Sequence, residues 1–150
     1  MLPSEVSVQI RKLPHAPAEL PAYESDGAAG MDLRYAGDRT TIAPGERVLL
    51  PTGYCIAIPT GFEGQIRLRS GFALRSGLIL PNAPGTVDSD YRGEVQILVM
   101  NPGSSSITVE RGDRVAQLVI APVCRCVWSE VEYLPPSARG SGGFGSTGYL

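Results

Sequence analysis

Proline and glycine turns punctuate this sequence so often that it has little room for long helices. The 150 residues include 18 glycines and 13 prolines, which is more than the usual share of both. Proline breaks the interior of a helix, whereas turns rich in proline and glycine readily join short strands. The clearest turns lie at 43–45, 59–61, 84–85, 101–103 and 111–113. We therefore expect a single all-β domain, either a sandwich or a barrel.

Between the turns, apolar and β-branched residues alternate with polar ones, which is the pattern of short strands. The sequence predicts strands at 6–10, 48–58, 65–69, 94–101, 107–109, 114–123 and 126–133. The one helix that we expect is short and covers 70–76, with Ser70 as its N-cap residue. Such a cap would direct free backbone N–H groups at whatever lies beside Ser70.

Composition excludes several classes of function. A net charge of −2 leaves no broad basic patch, so we expect no direct nucleic-acid binding, although a small anionic ligand needs only a few local cations. Cys124 and Cys126 could form one half of a zinc site, but the remaining Cys55 and His15 do not form the second Cys/His pair that a four-ligand site needs. Reduced cysteines of a cytoplasmic protein are the simpler interpretation. No signal peptide and no apolar run of about 20 residues is present, so we expect no membrane partner.

The C-terminal residues 135–150 differ from the rest of the chain, because small residues surround one arginine and one phenylalanine. Such a segment cannot build a core, so it is either a disordered tail or a segment that orders over a ligand. Residues 140–147 approach a phosphate-binding P-loop, but Ser146 stands where lysine belongs and too few residues follow for the helix that a P-loop opens. We therefore reject an ordinary P-loop.

Two polar stretches in the first half of the chain are candidates for ligand binding. At 28–33, Asp32 lies between apolar residues and is either a turn former or a carboxylate in a pocket. At 69–73, Arg69 and Ser70 precede the expected helix. They suit phosphate oxygens through charge-assisted hydrogen bonds, or they form an ordinary surface cap.

Two further stretches follow. Residues 82–94 resemble a hairpin with acids, an amide and an aromatic residue near its tip, or a solvated loop. At 111–118, Gln117 falls within an apolar strand, so its amide needs a partner if it is buried. Asp113 and Arg114 could simply pair with each other.

Taken in order, five segments resemble the five motifs of the trimeric dUTPase family, and the match covers the chain from about Ala28 to Gly148. They are Ala-Gly-Met-Asp-Leu at 29–33, Arg-Ser-Gly-Phe-Ala at 69–73, Gly-Thr-Val-Asp-Ser-Asp-Tyr-Arg-Gly-Glu at 85–94, Gly-Asp-Arg-Val-Ala-Gln-Leu at 112–118 and Arg-Gly-Ser-Gly-Gly-Phe-Gly-Ser-Thr-Gly at 139–148. The third motif and the tail are the most specific.

The resemblance implies a distorted jelly-roll-like β-barrel with one short helix and a glycine-rich C-terminal arm. Residues 1–134 would form the barrel domain, and residues 135–150 a mobile arm that closes over an active site. The implied assembly is a homotrimer with three shared active sites. The implied activity is hydrolysis of dUTP to dUMP and pyrophosphate, which limits uracil incorporation into DNA and supplies dUMP for thymidylate synthesis.

The same resemblance assigns the chemistry of the phosphates. Asp88 is similar to the general base that activates water for attack on the α-phosphorus. Asp32 resembles the acid that contacts hydrated Mg²⁺ through water. Arg139 resembles a catalytic tail arginine that clamps the γ-phosphate. The positions that match other phosphate contacts are Arg69, Ser70, Gly71 and Gln117.

The nucleoside contacts also follow from the resemblance. Tyr91 is similar to the aromatic residue that packs on deoxyribose and excludes a 2′-hydroxyl. Phe144 resembles the tail ring that stacks on uracil, and Gly145 belongs to the same substrate-binding arm. The positions that match the uracil-binding segment are Asn82, Gly85, Thr86 and Val87.

This sequence departs from the family pattern at Leu68, where proline is common, and at Phe72, where leucine is common. Both changes are apolar, so we expect local repacking rather than lost activity. Two alternatives share the fold: a dCTP deaminase-like enzyme and a catalytically silent dUTP-binding signalling protein. The deaminases tend to carry a second serine after Arg-Ser, whereas here Gly71 follows Ser70.

Overall fold

The computed structural model describes residues 5–144, which form nine strands and one short helix. The strands are β1 (Gln9–Lys12), β2 (Met31–Arg34), β3 (Thr40–Ile42), β4 (Arg47–Ala57), β5 (Phe62–Leu68), β6 (Gly85–Val87), β7 (Glu94–Met100), β8 (Ile107–Val109) and β9 (Arg114–Pro122), and the helix is α1 (Ser70–Ser76). The fold is therefore all-β, as the turn pattern predicts. Among the described residues, no helix is long and apolar enough to cross a membrane.

All strand pairing is antiparallel and distributes the strands over three sheets. One sheet has the order β1-β4-β7, a second has β2-β9-β5-β6, and β3 pairs with β8. Strands β4, β7 and β9 contribute Leu50, Ile97 and Val115 to a common core. In β7 buried and half-buried residues alternate along the strand, which is why its pattern is visible in the sequence.

The register of the second sheet brings three predicted site residues close together. Asp32 of β2 stands opposite Gln117 of β9, and Gln117 stands opposite Arg67 of β5 on the other side. Arg69 follows the end of β5 and extends its pairing with β9, because the Arg69 N–H donates to the carbonyl of Val115 at 3.0 Å. Neighbouring strands lie about 4.8 Å apart, so the three side chains share one end of the sheet.

Helix α1 has the predicted bounds, but Ser70 is not its N-cap residue. Arg69 occupies the N-cap position with extended backbone and makes no side-chain cap, and Ser70 is the first helical residue. The reason is the Arg69–Val115 hydrogen bond, which holds Arg69 in the strand conformation. Phe72 is buried beneath the helix, and Gly77 ends it in the left-handed conformation, with its N–H donating to the carbonyl of Ala73.

Two local predictions are wrong. Residues 126–133 form no strand, and Val127 and Trp128 are 91% and 90% exposed. Alternation alone does not make a strand unless another strand edge is available for pairing. Residues 82–94 are not a hairpin either, because β6 pairs with β5 whereas β7 pairs with β4 in the other sheet. The first strand also starts later than expected, at Gln9.

Candidate functional site

A cavity of about 310 Å³ opens where β2, β9 and the start of α1 meet. Five residues predicted to contact phosphate or metal line it: Asp32, Arg69, Ser70, Gly71 and Gln117. Its volume lies at the lower end of the range for ligand pockets. The structure therefore brings together the predicted residues of the first, second and fourth motifs.

Asp32 is the electrostatic centre of this cavity. Its side chain is 10% exposed, and its Oδ1 lies 2.9 Å from Nε of Arg69 while its Oδ2 lies 3.3 Å from Nη1 of Arg114. Arg114 also reaches Glu24 at 3.4 Å. One carboxylate thus fixes two guanidinium groups beside the cavity. Asp32 is a pocket carboxylate and not a turn former, because it lies within β2.

Gly30 explains the glycine of the first motif. A Cβ atom at this position would lie 2.7 Å from Oε1 of Gln117 and 3.2 Å from Cγ2 of Val119. Any larger residue would push the Gln117 side chain away from β2. The glycine therefore allows the Gln117 amide to lie close against the chain that carries Asp32.

The predicted residues of the third motif, together with Asn82, lie around β6 and in the loop that follows it. Gly85 and Val87 of β6 are buried, whereas Asn82, Thr86 and Asp88 are exposed. Because β6 is the last strand of its sheet, one side of its backbone has no neighbouring strand within the described part of the chain.

A short loop follows β6 and carries Tyr91, which is 45% exposed. The Tyr91 N–H donates to the Asp88 carbonyl at 3.1 Å, and its hydroxyl donates to the Glu94 carbonyl at 2.9 Å. These two bonds fold the loop back on itself and hold the ring. None of the predicted residues from Asn82 to Tyr91 lines the cavity beside Asp32.

Asp88 lies far from the predicted phosphate contacts of its own chain. Val87 pairs with Gly64, so Asp88 comes level with Glu63 near the start of β5. Arg69 follows the opposite end of that strand, six residues away, which corresponds to about 20 Å at ~3.3 Å per residue. A single chain therefore does not bring the predicted base to the predicted phosphate contacts.

Residues 135–144 of the C-terminal arm stand apart from both groups. Among the described residues, their hydrogen bonds stay within the arm: Arg139 Nε donates to the Gly142 carbonyl at 2.8 Å, and the Gly140 N–H reaches Ser137. Phe144 is fully exposed. Gly145 lies outside the described residues. Within the described residues of one chain, neither Arg139 nor Phe144 lines the cavity beside Asp32.

The wall on the other side of Asp32 is built by the N-terminal segment. A neighbouring cavity of about 230 Å³ is lined by residues 17–22, Glu24, Asp32, Arg34 and Tyr54. Burial, with a further contribution from Glu19, raises the pKa of Tyr54 above its usual value of 10.0 despite the opposing charge of Arg34. The hydroxyl of the neutral phenol donates a hydrogen bond to the Glu19 carbonyl and so connects this segment to β4.

A family model described as dUTPase matches residues 16–148. The chain belongs to the dUTPase family. This match covers most of the chain and includes the cavity, the Asp88 loop and the arm.

Two relatives support the assignment to the dUTPase family. A deoxyuridine 5′-triphosphate nucleotidohydrolase of Anaeromyxobacter sp. (strain Fw109-5) is 57% identical over 145 residues, which covers 95% of this chain and 98% of the relative. An enzyme of the same name from Rhizobium etli is 59% identical over 133 residues, with coverage of 87% and 85%.

Solved structures of phage dUTPases share the fold. The dUTPase of Staphylococcus bacteriophage 80alpha with dUpNHpp has a TM-score of 0.86 and 26% identity, and the match covers 95% of this chain and 98% of that one. A dUTPase mutant from phage phi11 of S. aureus, described as coordinating a structural Mg(II) ion, has a TM-score of 0.76 and 23% identity, with coverage of 85% and 97%. The second likeness speaks for the fold alone.

Arg114 is the site residue whose contacts the sequence did not predict. Asp113 and Arg114 do not pair with each other: Asp113 Oδ2 accepts the Glu110 N–H at 3.0 Å, and Arg114 reaches Asp32. In a regular strand, Arg114 and Gln117 would point to opposite faces. A register shift between β2 and β9 at Leu33/Arg34 reverses the alternation. A bulge of this kind has no clear signal in the sequence of this dUTPase-family chain.

Proposed function

We propose that this chain is a dUTP diphosphatase that hydrolyses dUTP to dUMP and pyrophosphate at active sites shared between the subunits of a homotrimer. The observation that carries the proposal is the cavity in which Arg69, Ser70 and Gln117 surround the Asp32 carboxylate, together with Asp88 about 20 Å away on the same chain. A second chain that brings its Asp88 to this cavity would complete a site for a triphosphate and an attacking water.

The arginines bind the triphosphate. Arg69 presents its remaining N–H groups to the cavity while Nε is held by Asp32, and Ser70 and Gly71 lie at the start of α1 beside it. Arginine donors suit phosphate oxygens in fixed geometry. Gln117 adds an uncharged amide donor. Since Asp32 holds both Arg69 and Arg114 before substrate arrives, little reorganisation is needed on binding.

Asp88 acts as the general base in this proposal. Its exposed carboxylate accepts a proton from a water molecule as the water oxygen bonds to the α-phosphorus. The bond from the α-phosphorus to the bridging oxygen then breaks, and pyrophosphate leaves with that oxygen. A carboxylate is a weak base near neutral pH, so most of the rate acceleration comes from positioning and from neutralising phosphate charge.

The described residues fit Mg²⁺ only through water. Within residues 5–144, no three His, Cys, Asp or Glu side chains gather into a direct metal site. Oδ2 of Asp32 accepts an Arg114 N–H, and Oδ1 forms an ion pair with Nε of Arg69 at 2.9 Å. A carboxylate has about four acceptor positions, so positions remain for water. Mg²⁺ keeps several waters and prefers phosphate oxygens. When bound, it would neutralise phosphate charge, and Asp32 would orient its water shell.

Base selection uses the backbone of β6. An edge strand offers unpaired N–H and C=O groups in alternation, and these can mimic the partner of a uracil base. Asn82 and the residues Gly85, Thr86 and Val87 supply these groups in the proposal. Tyr91, in the loop that follows β6, would pack on the deoxyribose, where a 2′-hydroxyl would clash.

The trimer explains an apolar surface outside the core. Leu49 and Leu98 stand opposite each other on the outward face of β4 and β7, and Leu49 is 57% exposed. Ile79, which bridges to Met100 at the end of β7, adds exposed apolar area beside them. An exposed apolar patch of this kind marks an interface. In the assembled trimer, Arg139 and Phe144 of one arm would close over a site formed by other subunits, as would Gly145, which lies outside the described residues.

The proposed setting is the cytoplasm, where dUTP hydrolysis would limit uracil incorporation into DNA and provide dUMP for thymidylate synthesis. The deciding experiment offers dUTP, dCTP, dTTP and UTP separately, with and without Mg²⁺, and measures both pyrophosphate and ammonia. Of the four nucleotides, we expect only dUTP to yield pyrophosphate, and we expect this in the presence of Mg²⁺. Ammonia from dCTP would identify a deaminase, and tight dUTP binding without any product would identify a silent binding protein.

A further inference from the structure

The side chain of Glu94 makes two close contacts at the start of β7, and neither belongs to the predicted substrate contacts. Its Oε1 accepts the Gly53 N–H at 2.7 Å and lies 2.7 Å from Nε2 of His15. The side chain of Glu94 is only 17% exposed. An ionised carboxylate can only accept hydrogen bonds, so Nε2 of His15 is the donor. Glu94 is thus held from two directions.

An irregularity in β4 creates this arrangement. Pairing jumps from Pro51 opposite Gln96 to Cys55 opposite Glu94, so three residues of β4 share the space of one residue of β7. Gly53 lies in this bulge with φ of 81°, and a Cβ there would lie 2.4 Å from Cα of Ala16. The turn that carries His15 therefore packs directly on the bulge, and the Leu13 N–H donates to the Gly53 carbonyl at 2.8 Å.

The backbone of Glu94 connects the bulge to the substrate loop. The Glu94 carbonyl accepts the Tyr91 hydroxyl at 2.9 Å, and the Tyr91 N–H bonds the Asp88 carbonyl. Gly93 permits this close approach, because a Cβ there would lie 2.4 Å from the Tyr91 oxygen. His15 and the Tyr91 hydroxyl therefore contact the same residue, the first at the Glu94 side chain and the second at the Glu94 backbone carbonyl.

We propose that His15 is a positioning residue for substrate selection: through Glu94 it fixes the carbonyl on which the Tyr91 hydroxyl rests, and so sets how strictly a 2′-hydroxyl is excluded. The inference deepens the proposed function and rests on the role that it gives to Tyr91. The other charged group near His15 is Arg111, which reaches the His15 carbonyl at 3.4 Å and pairs with Asp38. Neither the Arg111 nor the Asp38 side chain forms a hydrogen bond with Tyr91 within the described residues.

The test compares kcat/KM for dUTP and UTP in the wild type, His15→Ala, His15→Gln and His15→Asn. Glutamine can place its amide nitrogen near the position of Nε2, whereas the shorter asparagine cannot. We expect His15→Ala and His15→Asn to lower the dUTP/UTP ratio about tenfold, the scale of one hydrogen bond to a charged group. We expect His15→Gln to keep most of the ratio. The glutamine and asparagine variants answer the question even where alanine unfolds the turn.

A second background separates positioning from general stability. In Tyr91→Phe the hydroxyl is gone, so adding His15→Ala should change the ratio no further. The control is Arg39→Ala, which removes an exposed ion pair to Glu110 at 3.3 Å and should leave the ratio unchanged. A selective wild type with an unaltered ratio in His15→Asn would overturn this inference alone. A wild type that cleaves dUTP and UTP equally would overturn the proposed role of Tyr91 as well.

Discussion

The carboxylate of Asp32 lies 2.9 Å from Nε of Arg69, and this contact joins the first motif to the second across the intervening strand β9. Arg114 occupies the other oxygen of the same carboxylate. The group that orients the cations is therefore also the group proposed to face the hydrated metal ion. Orientation of the two arginines and the proposed contact with the hydrated metal ion therefore both depend on the Asp32 side chain.

Replacing Asp32 by Asn should weaken both functions. The amide keeps the size but loses the charge that holds Arg69 and Arg114, so we expect kcat/KM for dUTP to fall about 100-fold, as for loss of charge-assisted contacts in a partly buried site. The Mg²⁺ concentration for half-maximal rate should rise. Steady-state assays across a magnesium series measure both effects. Asp38→Asn is the matched control, because Asp38 also pairs with an arginine but its side chain is fully exposed.

Asp88→Asn should remove the base and spare binding. We expect kcat to fall by 10²–10⁴-fold, roughly the contribution of a general base, while the Kd for dUTP changes by only about threefold. Single-turnover kinetics and calorimetry with a non-hydrolysable dUTP analogue measure the two quantities separately. Asp90→Asn places the same change on a neighbouring exposed acid of the loop and should remain active. A normal kcat for Asp88→Asn would exclude this residue as the base.

Subunit mixing tests whether sites are shared. Asp88→Asn and Arg69→Ala should each be inactive as pure proteins. If one chain supplies Asp88 and another supplies Arg69, random co-refolding in equal amounts should restore about a quarter of the wild-type activity, since half of the chains carry each intact group and a closed trimer would combine them independently. Mixtures that stay as inactive as their components would show that each chain builds its site alone.

Local sequence predicted the parts of this fold that local interactions determine. Helix α1 was placed correctly because Gly77 can end it in the left-handed conformation, and β8 was placed correctly because its residues alternate between turns. The N-cap at Ser70 was wrong because Arg69 is held by Val115, a residue far away in the sequence. Pairing of β6 with β5 depends on the same kind of distant contact.

The candidate site shows the same division. Asp32, Arg69, Ser70, Gly71 and Gln117 could be named from the sequence, and the structure brings them to one cavity. The contribution of Arg114 could not, because it depends on a register shift between two strands. The strand expected at 126–133 fails for a related reason: its pattern is suitable, but the described part of the chain offers it no partner. The alternation of apolar and polar residues does not determine which strands pair.

The Tyr54 hydroxyl should contribute to stability below alkaline pH. Burial raises its pKa above 10.0, so the contribution is complete below pH 10 and is lost as pH rises through the higher folded pKa. Tyr54→Phe should lower the free energy of unfolding by about 1 kcal/mol at pH 8, the scale of one hydrogen bond, and should make the decline above pH 10 shallower. Urea titrations at pH 8 and pH 11 measure this. Tyr133→Phe, at an exposed position, is the control.

Arg139→Ala should separate capture of the substrate from its conversion. Arg139 is exposed and bonds only the Gly142 carbonyl among the described residues, so its loss leaves the barrel intact. If its guanidinium stabilises negative charge on the γ-phosphate during hydrolysis, kcat should fall roughly 10³-fold, as for an arginine finger. The melting temperature should stay within about 1 °C of the wild-type value. Arg125→Ala, an exposed arginine in the same C-terminal region, should keep full activity. Full activity in both variants would show that Arg139 plays no part in catalysis. An equal fall in both would point to a general effect of charge on dUTP encounter, which added salt would reproduce in the wild type.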